Sequence, residues 1–170
     1  MNYFWLDANA IVKQYATELG TPLINHLFTH VSLNRIFCLF DCMGEVRFAI
    51  AKKKNEQRTT IAAIDQAIQR FEDEFLYSDE VQQVHATESQ KRAAWQRIDP
   101  HTGARIINNT DAYILQCALD IVNELRTTGD DLILVSSDKD LLVAAKKEGL
   151  LTFNPQTDNQ TYLDNLINSP

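Results

Sequence analysis

The stretch DDLILVSSDKDLLVAAKKEGLLTFNP, residues 130–155, indicates how the chain folds. It begins with an apolar run at residues 132–135 that is typical of a buried strand, and continues into a helical pattern that ends at Gly149. A second short apolar run follows directly. A strand, a helix and a strand in this order favour a parallel sheet, and Asp138 and Asp140 stand where the first strand gives way to the helix.

The same alternation of strands and helices runs along the whole chain. Strands are predicted at residues 2–6, 35–40, 80–86, 132–136 and 150–154, and helices at 9–18, 21–31, 42–55, 56–77, 87–98, 139–148 and from Asp111 onward. Thr21 and Asp41 are predicted to cap the second and third helices. We therefore expect one α/β domain over residues 1–155 with a mostly parallel sheet, and a polar tail at 156–170 that is either packed on it or flexible.

Composition narrows the class of protein. The chain has 170 residues, of which 45% are hydrophobic and 23% charged, as in a globular domain with a substantial core. Its three cysteines match no zinc-ligand spacing, and neither a signal peptide nor an apolar run of roughly 20 residues occurs, so a cytoplasmic protein without a membrane span is expected. The net charge of −7 argues against nucleic-acid binding through bulk positive charge, but it is compatible with an acidic site that holds cations.

Four carboxylates occupy related positions in this pattern. Asp7 and Asp138 each end a strand, and Glu45 and Asp111 each lie at or near the start of a helix. Each has a simpler explanation when taken alone. Asp7 and Asp138 could be turn or cap residues, Glu45 a solvated helix residue, and Asp111 a charge favoured by the helix dipole. Because strand carboxyl ends and helix starts share one edge of an α/β sheet, all four could converge there.

Clustered carboxylates repel one another, and a divalent cation bound among them relieves that repulsion. Hard oxygen ligands suit Mg²⁺ or Mn²⁺. Such an ion can activate a water molecule and neutralise the charge that develops on a phosphodiester during hydrolysis. The four positions therefore indicate a metal-dependent hydrolase, beside the alternative of four unrelated caps and surface charges.

Four segments that contain these acids, LDANAIVKQY, DCMGEVRFAI, NTDAYILQCAL and LVSSDKDLL, together resemble the four acidic motifs of the PIN-domain family. The match is in order and covers about residues 2–154. The family comprises metal-dependent ribonucleases, including the VapC-type toxins of bacterial toxin–antitoxin pairs. The resemblance implies a three-layer α/β/α sandwich around a parallel sheet, a homodimer, RNA cleavage with Mg²⁺ or Mn²⁺ and, for a VapC-type toxin, an antitoxin protein as partner.

The resemblance also implies roles for individual residues. It assigns catalysis and metal binding to Asp7, Glu45, Asp111 and Asp138, with Asp140 as an alternative fourth ligand because the family motif contains two acids there. Asn9 and Ser136 fall where the family has polar residues that support the site. The chain departs from compact VapC toxins in its longer middle segment, residues 52–110, and in Leu141, which replaces an aromatic residue common after the last acid.

A basic cluster follows Glu45 on its predicted helix. Arg47, Lys52 and Lys53 could contact RNA phosphates there, and a solvated helix end whose cations complement the dipole is the alternative. Two other functions stay open: a non-catalytic PIN-like module that binds RNA or protein, and a phosphatase of the haloacid-dehalogenase class. That class needs a second aspartate two residues after its nucleophile, where this chain has Asn9.

Overall fold

The centre of the protein is a sheet of five parallel strands. The structure, a computed structural model, describes residues 1–56, 59–98 and 107–169. The strands are β1 (Asn2–Leu6), β2 (Ile36–Leu39), β3 (Gln82–Val84), β4 (Asp131–Val135) and β5 (Leu151–Phe153), and their order in the sheet is β3-β2-β1-β4-β5. Every neighbouring pair is parallel, so the predicted α/β class with a parallel sheet is confirmed.

Helices cover both faces of this sheet. They are α1 (Ala8–Tyr15), α2 (Thr21–His30), α3 (Met43–Glu56), α4 (Ile61–Phe71), α5 (Glu88–Trp95), α6 (Asn109–Thr127), α7 (Lys139–Lys147) and α8 (Gln160–Asn168). Core residues of α1, α2, α3, α4 and α8 pack with Phe4 and Leu6, whereas those of α5, α6 and α7 pack with Trp5 on the opposite face. The result is the three-layer α/β/α sandwich that the resemblance implies. Within the described ranges, no helix is long and apolar enough to cross a membrane.

The strands β1 and β4 lie side by side where the chain reverses its direction across the sheet. From β1 the chain proceeds to β2 and β3 on one side, whereas β4 leads to β5 on the other. Leu6 pairs with Val135, and the backbone nitrogen of Asp7 donates a hydrogen bond of 3.1 Å to the carbonyl of Val135. Parallel sheets bind ligands in the crevice outside such a reversal, which we call the switch point. The residues that follow β1 and β4 therefore lie at the expected ligand site.

The predicted cap of α2 is wrong. Gly20, and not Thr21, precedes the helix, and Thr21 is already its first residue. The φ angle of Gly20 is 94°, and an added Cβ would lie 2.6 Å from the carbonyl oxygen of Pro155. Only glycine combines this backbone conformation with such a close approach. The start of α2 is therefore set by a contact with a distant part of the chain.

The region around α3 and α4 also differs from the prediction. Asp41 does not cap α3, because it lies inside a 3₁₀ turn, Phe40–Cys42, that runs directly into the helix. The sequence predicts a single helix over residues 56–77. In the structure, α3 ends at Glu56, and α4 continues into a π-helical turn at Glu72–Leu76. A new helix begins because the Thr60 side chain accepts a hydrogen bond of 3.2 Å from the backbone of α4 and caps it.

The polar tail contains a helix that packs on the sheet. Leu163 and Leu166 of α8 are buried in the same core as Phe4. The side-chain amide of Asn2 donates a hydrogen bond of 2.8 Å to the carbonyl of Leu166, which ties α8 to β1. Residues 160–168 are therefore part of the folded layer that covers one face of the sheet.

Candidate active site

Asp7 lies directly after β1 and is held by three hydrogen-bond donors. Its Oδ1 accepts a hydrogen bond of 2.6 Å from the backbone nitrogen of Ala8, so Asp7 caps α1. Its Oδ2 accepts hydrogen bonds from the Asn9 amide and, at 2.7 Å, from the hydroxyl of Ser136. The residue is only 6% exposed. Its carboxylate is therefore fixed by groups from both sides of the switch point.

Asn9 and Ser136 join the start of α1 to the loop after β4. The Asn9 amide nitrogen donates a hydrogen bond of 3.0 Å to the Ser136 hydroxyl, and the amide oxygen accepts one of 2.8 Å from the backbone nitrogen of Ser137. The buried Ser136 hydroxyl also accepts a hydrogen bond of 2.9 Å from the backbone nitrogen of Asp138. Its one donor and both acceptor positions are thus used. Both residues lie where they can support Asp7 and the start of α7.

Asp138 caps α7, as the simpler explanation of this residue predicted. Its Oδ1 accepts hydrogen bonds from the backbone nitrogens of Asp140 and Leu141, at 2.8 and 3.0 Å. Asp138 also lines a cleft of about 430 Å³ at the switch point. Capping and a place at the ligand site are therefore compatible roles for one side chain. Asp140 lies in the first turn of the same helix.

Asp111 and Glu45 approach from the starts of two further helices. Asp111 lies in the first turn of α6, where its backbone nitrogen donates a hydrogen bond of 2.9 Å to the side chain of the capping residue Asn108. It is 9% exposed, and a hydrogen bond from the backbone of Asn108 favours its charged form. Glu45 is exposed near the start of α3, and its Oε1 lies 3.5 Å from the hydroxyl of Thr110, the neighbour of Asp111.

The four acids share one electrostatic environment. Burial, with smaller contributions from the charges of Asp138 and Glu45, raises the pKa of Asp7 to about 6, against the lowering effect of its hydrogen bonds from Ser136 and Ala8. Burial likewise raises the pKa of Asp111 to about 7, with further contributions from the charges of Asp7, Asp138 and Glu45. Each buried carboxyl is thus made less acidic by the same set of neighbours.

This donor set fits a hard divalent cation by its chemistry. It offers carboxylate oxygens, which Mg²⁺ and Mn²⁺ prefer, and a cation there would relieve the mutual repulsion of the acids. Asp111 adds a carboxylate from the first turn of α6 to this set. As the side chains stand, no group of three or more His, Cys, Asp or Glu residues in the described ranges is arranged to hold one. Mg²⁺ is commonly bound through one or two carboxylates and keeps several waters, so fewer than three carboxylates are enough to hold it.

Residues 6–156 match the model of one protein family, the PIN domain. The chain belongs to the PIN-domain family. The resemblance seen in the four acidic segments is thereby confirmed. The haloacid-dehalogenase alternative loses its support, because the amide of Asn9 cannot act as the general acid that this class needs.

Solved structures share the fold of this PIN domain at low sequence identity. FitAcB from Neisseria gonorrhoeae has a TM-score of 0.59 and 18% identity, with 91% of this chain and 99% of that chain covered. VapC20 of Mycobacterium tuberculosis, a toxin that cleaves the sarcin–ricin loop, has a TM-score of 0.57 and 16% identity, with coverage of 83% and 94%. PAE2754 from Pyrobaculum aerophilum has a TM-score of 0.55 and 16% identity, with coverage of 98% for both chains. No curated protein matches the sequence.

The cleft beside Asp138 is also lined by basic residues of this PIN domain. Of the three residues predicted to contact RNA, Lys52 and Lys53 of α3 line the cleft. Arg47 is instead paired with Glu72, with its Nε 3.1 Å from the carboxylate. The predicted basic patch is therefore divided between the cleft and a separate ion pair.

Lys13 is a further residue of the cleft that the sequence analysis did not single out. It is 2% exposed, and its Nζ donates a hydrogen bond of 3.2 Å to the carbonyl of Asn9. The sequence carried a signal for it. Lys13 interrupts the apolar run of α1 and lies one helical turn after Asn9, so a helix places the two residues on one side.

Proposed function

We propose that this PIN domain is an endoribonuclease that depends on Mg²⁺ or Mn²⁺. The observation that carries the proposal is the pair of buried carboxyls, Asp7 and Asp111, whose pKa values are raised to about 6 and 7 at the switch point of the sheet. Burying and crowding acids is unfavourable, and perturbed groups of this kind concentrate at functional sites. Glu45 and Asp138 add two more carboxylates to the same environment.

Hydrogen bonds hold some of the proposed metal ligands in place, whereas another is able to move. A bound divalent ion would supply an activated water and neutralise the charge that develops on the phosphodiester. Asp7 is held in place by Ser136, Asn9 and Ala8, and Asp138 is held by its cap on α7. Glu45 is exposed and accepts only a long hydrogen bond of 3.5 Å from Thr110 among the described residues, so its carboxylate is able to adjust around the ion.

The biological role that we propose is that of a toxin in a toxin–antitoxin pair. The likeness in fold to VapC20 supports this role, as do the four acidic segments. We expect a cytoplasmic homodimer whose partner antitoxin covers the site. Co-expression with the neighbouring gene should then suppress toxicity and co-purify both chains, whereas harmless overexpression of this chain alone would count against the role.

The nuclease function is tested by cleavage of a structured RNA in Mg²⁺ or Mn²⁺, with EDTA added to a parallel reaction. Asp7→Asn is expected to abolish cleavage. Asp41→Asn is the matched control, because Asp41 follows β2 at the same edge of the sheet and is paired with Lys91 at 4.0 Å. Cleavage that survives EDTA, or full activity in Asp7→Asn, would refute the mechanism. Binding of RNA without any cleavage would favour the non-catalytic module.

A further inference from the structure

A carboxylate already lies between two ammonium groups in the cleft beside Asp138. Glu18, in the loop between α1 and α2, places its Oε1 3.5 Å from the Nζ of Lys13 and its Oε2 3.6 Å from the Nζ of Lys53. All of these residues line the same cleft. An anion of the protein therefore occupies a position that two lysines prepare for negative charge.

We propose that this cleft is a subsite for a phosphate of the nucleic-acid strand adjacent to the cleaved bond, and that Glu18 occupies the subsite when the strand is absent. The inference rests on the proposed nuclease function, since Asp138 of the acidic site forms part of the same cleft. Binding of the strand would displace the carboxylate and put a phosphate oxygen in its place.

The geometry of Glu18 is that of a loosely held anion. Charge-assisted hydrogen bonds between nitrogen and oxygen are about 2.7–2.9 Å long, and both of its contacts are longer than this. Its side chain is 26% exposed. Partly exposed ion pairs of this kind contribute little to folding. A phosphate, with more oxygens and its own negative charge, is a suitable replacement.

The two lysines have different parts in this subsite. Lys53 is 17% exposed and lies on α3, where a strand entering the cleft can reach it. Lys13 is 2% exposed and holds the carbonyl of Asn9, so it contributes charge from beneath the cleft and acts as a positioning residue. Burial lowers the pKa of Lys13 and the charge of Glu18 raises it, so an anion in the cleft favours the charged ammonium. Phosphate supplies that anion.

Competition between Glu18 and phosphate predicts that Lys53→Gln and Glu18→Gln change the affinity for the strand in opposite directions. Lys53→Gln removes a cation that binds the strand, so affinity should fall. Glu18→Gln removes the competing anion, so affinity should rise. A purely structural ion pair predicts the same direction for both substitutions, because either one breaks the pair. The sign of the Glu18→Gln effect therefore separates the two explanations.

The test measures the dissociation constant of a fluorescein-labelled single-stranded RNA by anisotropy, in EDTA, at several salt concentrations. Lys53→Gln should weaken binding on the order of fivefold and make the slope of log affinity against log salt shallower by about 0.7, the value for one phosphate contact on a single strand. Glu18→Gln should strengthen binding by a similar factor. Glu18→Ser provides a second test if Glu18→Gln does not fold.

Matched controls remove the same charges away from the cleft. Lys147→Gln and Glu124→Gln change exposed residues at the ends of α7 and α6, at the opposite edge of the sheet from the acids. Each should change affinity less than about twofold. Weaker binding in both Lys53→Gln and Glu18→Gln, or effects no larger than those of the controls, would overturn the subsite.

One further readout tests the phosphate assignment, and the whole test is independent of nuclease activity. A DNA strand of the same sequence should respond to the same variants, because the contacted group is a phosphate; a response confined to RNA would overturn the phosphate assignment. Cleavage is not measured, so a protein without nuclease activity can still satisfy the test. Unchanged affinities in both variants would overturn the subsite and leave the nuclease proposal intact.

Discussion

The hydroxyl of Ser136 donates a hydrogen bond of 2.7 Å to the carboxylate of Asp7, although the two residues lie 129 positions apart in the chain. This bond lowers the pKa of Asp7 against the raising effect of burial. Ser136 therefore does more than connect the start of α1 to the loop after β4. It keeps the most buried acid of the site ionisable near neutral pH.

Ser136→Ala should raise the pKa of Asp7 above its value of about 6, because the bond that favours the charged carboxylate is lost. If ionised Asp7 is needed for cleavage, the acidic limb of the kcat/KM profile will move to higher pH. Activity should fall on the order of threefold to tenfold more at pH 6 than at pH 8. Ser137→Ala is the control, since the buried Ser137 hydroxyl has no hydrogen-bond partner among the described residues. A uniform loss at all pH values would contradict the prediction.

Asp111→Asn should stabilise the metal-free protein at neutral pH. Folding raises the pKa of this carboxyl from 3.8 to about 7, so the folded state binds the proton more tightly than the unfolded state does. Its contribution to stability is complete below pH 3.8 and is lost as pH rises through about 7, on the order of 2–4 kcal/mol. Asparagine at this position cannot ionise, so the Asp111→Asn variant does not lose stability in this way. In EDTA, the difference between its Tm and that of wild type should therefore increase between pH 5 and pH 8.

Asp7→Asn should show a smaller stabilisation or none. Asp7 accepts hydrogen bonds from Ala8, Asn9 and Ser136. Asparagine keeps one oxygen acceptor, but its amide nitrogen cannot accept the hydrogen bonds made to the other oxygen. Adding Mg²⁺ or Mn²⁺ should raise the Tm of wild type more than that of either variant, because a ligand bound only by the folded state stabilises it. Equal metal-induced shifts in all three proteins would contradict a metal site at these acids.

Two substitutions of Asp138 should separate its role as a cap from its role at the site. Asparagine is as good an N-cap as aspartate, so Asp138→Asn should reduce cleavage strongly with little change in Tm. Asp138→Ala should reduce cleavage and also remove the cap of α7, at a cost of about 1 kcal/mol. Asp140→Asn should do less harm to activity than Asp138→Asn. The reverse order would make Asp140 the fourth ligand.

Leu163→Ala should destabilise the protein by about 2–5 kcal/mol without changing the activity of the folded fraction, because Leu163 is 0% exposed and lies in the layer formed by α8. Leu19→Ala is the matched control, as Leu19 is 69% exposed. It should change the free energy of unfolding by less than about 0.5 kcal/mol. A Tm unchanged by Leu163→Ala, measured by thermal denaturation, would show that α8 contributes nothing to the fold.

The sheet could be predicted from the sequence because its central strands are buried on both faces. Such strands have continuous apolar runs, and β1 and β4 each have one bounded by polar residues. The placement of Asp7 and Asp138 followed from the same pattern, since acids after parallel strands share one edge. These are local signals that a single segment carries by itself.

The features that escaped prediction depend on contacts between distant segments. The start of α2 is set by the approach of Gly20 to Pro155, which no local pattern reveals. Two buried leucines define the inner side of α8 within an otherwise polar tail. Glu18 pairs with both Lys13 and Lys53, and these three residues come from a loop and two different helices. The sequence indicated the acids and named Lys52 and Lys53 as candidate phosphate contacts, but it did not single out Lys13 or Glu18.

The adjacency of β1 and β4 also determines when the site can exist during protein synthesis. Asp7, Glu45 and Asp111 are all translated before residues 131–135, which form β4. Until that strand emerges from the ribosome, β1 has an unpaired edge, and Asp7 lacks both Ser136 and Asp138. A nascent or prematurely terminated chain therefore contains most of the acids but no assembled centre. Because β4 lies late in the sequence, the site is completed only near the end of protein synthesis.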